Sequence, residues 1–161
     1  MPLNNKISQL KPEFQPIAQW IINVAKDMGV HLEINETLRT DDVQAAYYAQ
    51  GRQPTLKVNS LRTQAGLYPI TDQENKGIIT NVMHVSKVKG HGAGLAFDVV
   101  PDGDWDAPES KWNVIGQAVE KANKYWLATL INMGAEIIWG GNWVLQGGGH
   151  DQPHIELVYK K

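Results

Sequence analysis

Apolar residues recur at helical spacing in the first third of the chain. One stripe runs from Pro12 to Met28 and ends at Gly29, which suits the left-handed conformation that closes many helices. A second helix is predicted to start at Thr40 or Asp41, either of which can cap it, and to end at Gly51. The apolar stripe of the first helix predicts that this helix faces the core.

The longest helical stripe lies in the last third of the chain and ends at Gly134. The pattern predicts one continuous amphipathic helix. Its apolar face would consist of Trp112, Ile115, Val119, Ala122, Trp126, Leu130 and Met133.

Short runs rich in β-branched and other apolar residues predict strands. The run over residues 30–39 would direct Val30, Leu32 and Ile34 inward. Because strands and helices are mixed without regular alternation, the sequence favours an α+β fold, with a small antiparallel sheet packed against helices. The other predicted strands are Ile78–Val82, Ala96–Val100, Ala135–Trp139 and Ile155–Tyr159.

Between Gln53 and Gly77 the pattern is weak and is broken by proline, glycine and asparagine, so we predict a long loop that could form a lid. Residues 51–90 contain six basic and two acidic side chains, a local charge of +4. This segment could attract an anionic substrate.

Length and composition limit the remaining possibilities. A chain of 161 residues with 42% hydrophobic and 20% charged residues is typical of a single globular domain, here residues 1–161. A net charge of -2 argues against a nucleic acid partner, and we expect a monomer. The absence of cysteine leaves histidine and carboxylate as the metal ligands. Neither a signal peptide nor a membrane segment is recognised, so we expect synthesis in the cytoplasm.

Two short segments, HGAGLAFD (residues 91–98) and HDQPHIEL (residues 150–157), contain three of the five histidines. On a continuous strand His91 and Asp98 would point to opposite faces, but Gly92 and Gly94 would let the backbone bend and bring them together. Asp98 lies among apolar residues, where a carboxylate is costly unless it is paired or binds a cation. The first segment therefore suggests two metal ligands.

The second segment adds an imidazole and two carboxylates. Pro153 favours an extended backbone, so Asp151 and His154 could reach one point, while His154 and Glu156 would share a polar strand face. Two histidines and one carboxylate, with a fourth position for water, suit a catalytic zinc site, and a neighbouring carboxylate could serve as base. On spacing alone, ordinary turn glycines and a hydrogen-bonded strand aspartate explain the pattern equally well.

The remaining histidines carry less information. For His31 and His84 a hydrogen-bonded core residue is the favoured interpretation. For His150 a solvated loop residue is favoured over a catalytic role, although both stay open.

Four motifs in order resemble peptidase family M15, which contains zinc D-Ala-D-Ala carboxypeptidases and L-alanyl-D-glutamate endopeptidases. HGAGLAFD resembles the family's H-x-x-G-x-A-x-D motif, and RTDDVQAAYYAQGR (39–52) resembles its R-T-x-x-x-Q segment ending in G-R. IIWGGNW (137–143) resembles W-G-G-D-W, and DQPHIEL (151–157) resembles D-x-P-H-F-E. The resemblance runs from about Leu10 to Leu157 and implies a fold like that of the DD-peptidases and Hedgehog-type domains.

The resemblance also implies roles for particular residues. The zinc ligands would be His91, Asp98 and His154, and Asp151 would be the base. Arg39 and Gln44 would line the substrate side of the cleft, where Arg39 would stabilise the oxyanion. Without the family resemblance, a surface salt bridge would be preferred for Arg39 and a solvated helix face for Gln44. Two positions depart from the pattern, and neither is a ligand: Lys89 stands where serine is frequent, and Asn142 replaces an acidic residue.

The motif set is closer to the L-Ala-D-Glu endopeptidases, many of them phage endolysins, than to the carboxypeptidases. We therefore expect hydrolysis of a peptidoglycan stem peptide after holin-type release or dedicated secretion, without a separate wall-binding domain. D-Ala-D-Ala carboxypeptidase activity, a secreted antibacterial effector with the same chemistry, and a non-catalytic metal or cell-wall module on the same fold remain alternatives.

Overall fold

The computed structural model describes residues 4–145 and 149–160, and it has the expected α+β architecture. Within these ranges five α-helices accompany a four-stranded antiparallel sheet. None of the helices in the described ranges combines the length and the apolar character that crossing a membrane requires. The elements are α1 (Gln15–Asp27), β1 (Leu32–Glu36), α2 (Asp41–Ala49), α3 (Thr55–Gln64), β2 (Ala96–Pro101), α4 (Glu109–Tyr125), α5 (Leu127–Met133), β3 (Ala135–Trp139) and β4 (His154–Tyr159).

The sheet has the strand order β1-β2-β4-β3, and every neighbouring pair is antiparallel. Asp98 on β2 is directly opposite His154 on β4 and is also paired with Glu36 on β1. Residues directly opposite each other in antiparallel strands project to the same face. The register therefore aligns three ionisable side chains in a row across three strands.

The opposite face of the sheet forms the core with α1 and α4. Phe97, Val99, Ile155 and Leu157 are fully buried there, as period-two alternation predicts for strands that cover a core. Phe14, just before α1, meets Phe97 edge to face at a ring distance of 5.5 Å. The side chains that the sheet and the helices contribute to this layer are closely packed and exclude water. The strand positions beneath the polar row are therefore firmly fixed.

Several helix ends fall where the sequence places them. The Thr40 hydroxyl accepts a hydrogen bond from the Val43 amide and caps α2, and both Gly29 and Gly134 adopt positive φ just after a helix. The last helical stripe is interrupted, however: α4 ends at Tyr125, α5 begins at Leu127, and Trp126 lies between them. The prediction of one continuous helix was therefore wrong.

Two predictions for the middle of the chain were also wrong. The expected loop between Gln53 and Gly77 contains α3, which has no clear apolar stripe; Val58 is its one fully buried side chain, and the helix packs against α2. The expected strand Ile78–Val82 is irregular instead. Two of its carbonyl groups accept hydrogen bonds from the side chains of Gln44 and Arg52, which are distant in sequence, rather than from another strand. These hydrogen bonds cannot be recognised in the local sequence.

Candidate metal centre

His91, Asp98 and His154 converge at one end of the polar row. The Oδ1 atom of Asp98 lies 3.2 Å from Nε2 of His91 and 3.3 Å from Nδ1 of His154. One donor atom from each of the three residues lies within 4.8 Å of the other two. Strand pairing places Asp98 beside His154, while His91 comes from a short 3₁₀ turn, His91–Ala93, that precedes β2.

Glycines shape the turn that carries His91. Gly90 and Gly94 adopt φ values of 64° and 71°, which side chains with a Cβ rarely adopt, so the backbone can fold back toward β2. Gly92 does not adopt a positive φ; a Cβ there would lie 2.2 Å from the carbonyl oxygen of Ser86. The expected role of Gly94 in bending the chain is confirmed, whereas Gly92 is needed for close approach to a neighbouring segment.

Both imidazoles have a second partner that fixes the nitrogen facing the cluster. Nδ1 of His91 lies 2.7 Å from the backbone carbonyl oxygen of Thr37, and Nε2 of His154 lies 2.8 Å from Oε1 of Glu156. When a neutral imidazole donates the proton of its outer nitrogen, its inner nitrogen carries a free electron pair. Nε2 of His91 and Nδ1 of His154 are these inner nitrogens, and both face Asp98. The sequence placed Glu156 on the same strand face as His154 but did not identify this contact.

The charges of the cluster are strongly coupled. Burial alone would raise the pKa of Asp98, but hydrogen bonds from His154 and His91 outweigh it and hold that pKa well below its ordinary range. Burial would likewise lower the pKa of His154, yet its hydrogen bonds to Asp98 and Glu156 raise it to about 9. The centre therefore keeps the Asp98 carboxylate negative, and this charge attracts a cation. Without a metal, the proton carried by His154 supplies the positive charge.

The donor set and its spacing fit zinc. Tetrahedral zinc with bonds of about 2.0–2.1 Å to nitrogen and oxygen keeps its ligand atoms about 3.3 Å apart. The distances of 3.2 and 3.3 Å from Asp98 to the two imidazole nitrogens match this value. Outward hydrogen bonds from both imidazoles to a carbonyl and a carboxylate are also typical of zinc-binding histidines. These three residues leave a fourth position for water.

Asp151 lies next to this cluster without belonging to it. Its Oδ2 atom is 4.0 Å from Nδ1 of His154, and 40% of its side chain is exposed. Burial raises the pKa of Asp151, and the positive charge on His154 counteracts this in part. A carboxylate beside the centre but outside the ligand set, with a pKa above the usual aspartate value, is suited to exchange protons with a bound water.

The segment IIWGGNW, 137–143, holds the backbone around Asp151 by hydrogen bonds. The indole Nε1–H of Trp139 donates to the carbonyl oxygen of Gln152 at 2.7 Å, and the Asp151 amide donates to the carbonyl oxygen of Gly140 at 3.0 Å. A Cβ on Gly140 would lie 2.2 Å from the Asp151 carbonyl oxygen and 3.0 Å from Cβ of His154. This segment therefore fixes the distance between the candidate base and a candidate ligand.

Arg39 is held by two neighbours instead of lying on the surface. Its Nε donates to Oε1 of Glu36 at 2.9 Å, its Nη2 contacts the same oxygen, and its Nη1 donates to Oε1 of Gln44 at 3.1 Å. Burial disfavours the charged guanidinium, but the hydrogen bond and charge of Glu36 outweigh this and raise the pKa of Arg39. Gln44 is 2% exposed, so neither a surface salt bridge nor a solvated helix face describes these two residues.

Residues of α2 and the loop after it anchor the irregular segment 77–82. The Gln44 amide nitrogen contacts the carbonyl oxygen of Val82, and Arg52 donates to the carbonyl oxygen of Thr80 at 2.9 Å. Gly51 lets the backbones meet, because a Cβ there would lie 2.8 Å from Gly77. The motif from Arg39 to Arg52 thus builds one wall of a cleft.

The cleft above the centre has a volume of about 390 Å³ and is lined by Arg39, Gln44, His91, His154 and Glu156, together with residues of segment 80–92 and Trp143. Asp98 and Asp151 are not part of this lining. Arg39 and Gln44 form part of the cleft wall, and their role toward a substrate stays a prediction.

The histidines outside the centre are exposed. His84 and Lys89 are exposed residues of the cleft wall. His31 is also exposed, so the core interpretation of His31 and His84 was wrong. His150 is exposed and its Nδ1 contacts the carbonyl oxygen of Trp143, which suits the favoured loop interpretation.

Comparison with known proteins shows which fold this is. No protein-family model and no curated protein sequence matches the chain. Among solved structures it is similar to an L-Ala D-Glu endopeptidase, ChiX of Serratia marcescens, with 20% identity, a TM-score of 0.51, and coverage of 94% of this chain and 83% of that one. It is also similar to a variant of the vancomycin resistance D,D-pentapeptidase VanY in complex with Zn(II), with 16% identity, a TM-score of 0.50, and coverage of 91% and 71%. The expected DD-peptidase-like fold is confirmed.

Proposed function

We propose that this protein is a zinc peptidase that acts on peptidoglycan stem peptides. The observation that carries the proposal is the convergence of His91, Asp98 and His154, with Asp151 4.0 Å from His154. A binding site alone needs no proton acceptor outside the ligand set, and Asp151 supplies one. The fold shared with an L-Ala D-Glu endopeptidase and with a D,D-pentapeptidase bound to Zn(II) supports both the metal and the substrate class.

Zinc would be held by His91 through Nε2, Asp98 through Oδ1 and His154 through Nδ1, the atoms that face one another in the cluster. Zinc held there would lower the pKa of a bound water to about 7 and polarise the substrate carbonyl. Asp151 takes the proton from the attacking water. Arg39, whose guanidinium lines the cleft, faces the charge that develops on the carbonyl oxygen. Asp151 then returns the proton to the departing amine, because an amine anion is a poor leaving group.

We assign the L-Ala-D-Glu amide as the bond that is cleaved. The combination of R-T-x-x-x-Q with W-G-G-x-W favours the endopeptidases over the D-Ala-D-Ala carboxypeptidases. TM-scores of 0.51 and 0.50 do not discriminate between the two activities, so the sequence motifs carry this assignment. Basic residues of the cleft, Arg39 and Lys89, suit a stem peptide that carries free carboxylates.

The deciding experiment compares the wild-type protein with Asp151→Asn on purified sacculi, with metal content measured on both. We expect about one zinc per chain in each protein and a loss of activity in the variant of about 10²- to 10⁴-fold, the range that general acid–base catalysis contributes. Asp72→Asn, which changes an exposed aspartate outside the cleft, is the matched control and should keep full activity. New amino-terminal D-Glu identifies the endopeptidase, whereas released D-Ala transfers the proposal to carboxypeptidase activity.

A non-catalytic module would give a different result. Wild-type protein that binds zinc but releases no peptide from sacculi, or an Asp151→Asn variant that is as active as wild type, contradicts the proposed mechanism.

A further inference from the structure

A second cavity adjoins the metal cleft at Trp143 and lies between α4 and β3. Its volume is about 580 Å³, within the range of about 300–1,000 Å³ in which proteins hold small ligands. One wall is the outer face of α4, with Asn113, Gln117 and Glu120, and the other is formed by β3 and the residues that follow it, including Asn142 and Trp143. We call this cavity the amide groove. It plays no part in the proposed hydrolysis.

The lining of the amide groove is rich in amides. Asn113 and Gln117 are exposed, and within the described ranges neither side chain makes a hydrogen bond to the protein. Asn123 differs, because its amide binds both the N–H and the carbonyl of Ile137 and so holds α4 against β3. Amide groups both donate and accept, which matches the hydroxyl and acetamido groups of a sugar.

The charges in the two cavities differ. Among the described residues that line the amide groove, Glu120 is the one charged side chain, and none of these residues offers a cation to a carboxylate. The metal cleft, in contrast, is lined by two cations, Arg39 and Lys89, and by one carboxylate, Glu156. An anionic peptide is therefore favoured in the metal cleft and a neutral ligand in the groove.

Trp143 connects the two cavities. It lines both of them, and its ring centre is 4.9 Å from that of His154. A ligand that passes over this indole extends from the groove to the metal centre without leaving the surface. Sugar rings also pack well on indoles, whose large faces bury apolar area.

We propose that the amide groove binds the N-acetylated sugar of the glycan strand while the attached stem peptide enters the metal cleft. This inference rests on the proposed function. In peptidoglycan the first stem residue is attached to the lactyl group of the sugar, so an L-Ala-D-Glu bond lies only one residue, about 3.6 Å of chain, beyond that link. An enzyme that cuts there must accommodate the sugar beside its metal, and the groove adjoins the metal cleft at Trp143.

The test compares two substrates of the zinc-loaded protein: a stem peptide that carries its disaccharide and the same peptide without sugar. The Asn113→Ala, Gln117→Ala double variant should lose about tenfold in kcat/KM on the disaccharide-linked peptide, as expected for two or so lost hydrogen bonds. On the free peptide its activity should stay within twofold of wild type. Gln64→Ala, which changes an exposed glutamine on α3, is the matched control and should affect neither substrate.

A second measurement does not depend on catalysis. Titration of the full chain with an N-acetylglucosamine tetramer should shift the side-chain amide NMR signals of Asn113 and Gln117 and the indole signal of Trp143. Trp20 and Tyr125 line a different cavity, separate from the groove. The inference is overturned if no NMR signal shifts or if the shifts are confined to those two residues. Equal activity losses of the double variant on both substrates also overturn it. If the wild type cleaves neither substrate, the proposed function fails, while the titration still decides the sugar site.

Discussion

Glu36 and Arg39 form an ion pair whose acidic partner is almost completely enclosed. Glu36 is 1% exposed, and its Oε1 accepts hydrogen bonds from Nε and Nη2 of Arg39. Its Oε2 atom is buried without a hydrogen-bond partner among the described residues. Because a buried carboxylate without its partner is costly, Glu36 and Arg39 depend on each other for stability as well as for position.

Replacement of Glu36 by glutamine should leave Arg39 without its nearest negative charge. We expect Glu36→Gln to lower the free energy of unfolding by about 3 kcal/mol, as seen when one partner of a buried pair is removed. Urea denaturation measures this difference. Glu33→Gln alters an exposed glutamate on the same strand and should change stability by less than about 0.5 kcal/mol. Equal effects of the two substitutions would contradict the interpretation.

Glu156 should tune the metal site without binding the metal. It accepts a hydrogen bond from Nε2 of His154 at 2.8 Å, and such outer partners typically contribute 10- to 100-fold to metal affinity. We therefore expect Glu156→Gln to bind zinc 10- to 100-fold more weakly with unchanged stoichiometry, measured by competition with a chelator. Glu136→Gln, on an exposed strand position, is the control. A change in stoichiometry would instead indicate that Glu156 is a ligand.

Zinc binding should release protons. In the metal-free protein the pKa of His154 is raised to about 9, from 6.5, chiefly because its hydrogen bonds to Asp98 and Glu156 outweigh burial. Zinc requires the neutral imidazole, so binding displaces this proton and apparent affinity should rise with pH up to about 9. At pH 6, below the pKa of about 7 expected for zinc-bound water, calorimetry in buffers of different ionisation enthalpy should detect at least one proton per ion. Binding without proton release contradicts this.

The same raised pKa makes the metal-free protein sensitive to pH. A pKa that is higher in the folded than in the unfolded state means that the folded protein binds the proton more tightly. The charged interaction of His154 with Asp98 therefore stabilises the metal-free fold fully below pH 6.5, and this contribution is lost as the pH rises through about 9. Zinc should remove this dependence, because the bound imidazole no longer titrates. Unfolding measured from pH 6 to 10 with and without zinc tests both statements.

Gly140 should be required for the geometry of the centre. A Cβ at this position would lie 2.2 Å from the Asp151 carbonyl oxygen, so Gly140→Ala must displace backbone that carries Asp151. We expect a loss of about 1–3 kcal/mol in stability, typical of overpacking, together with weaker zinc binding. Gly77→Ala is the matched control, because a Cβ there meets nothing within 4 Å and the φ of -99° is ordinary. If both variants bind zinc like wild type, Gly140 has no role in positioning the centre.

The sequence by itself determined the features that depend on short-range chemistry. Helix caps such as Thr40 and the left-handed residues Gly29 and Gly134 act within a few residues, so their effects are visible locally. The types of ligand also follow from composition, because a chain without cysteine that binds zinc must use imidazole and carboxylate. The choice of His91, Asp98 and His154 came from the resemblance of their motifs to peptidase family M15. The strands next to the centre were also predicted from local pattern: β2 begins at Ala96 as expected, and β4 begins at His154, one residue before the predicted start.

Only the tertiary structure decided which groups meet across the chain. Strand register sets Asp98 beside His154, 56 residues further along the chain, and Thr37 becomes the partner of His91 through a contact that spans 54 residues. α3 and the irregular segment 77–82 are stabilised by neighbours distant in sequence, so neither has a local pattern that reveals it. Local propensity records what a segment prefers alone, whereas burial and hydrogen bonding between segments depend on the complete packed chain.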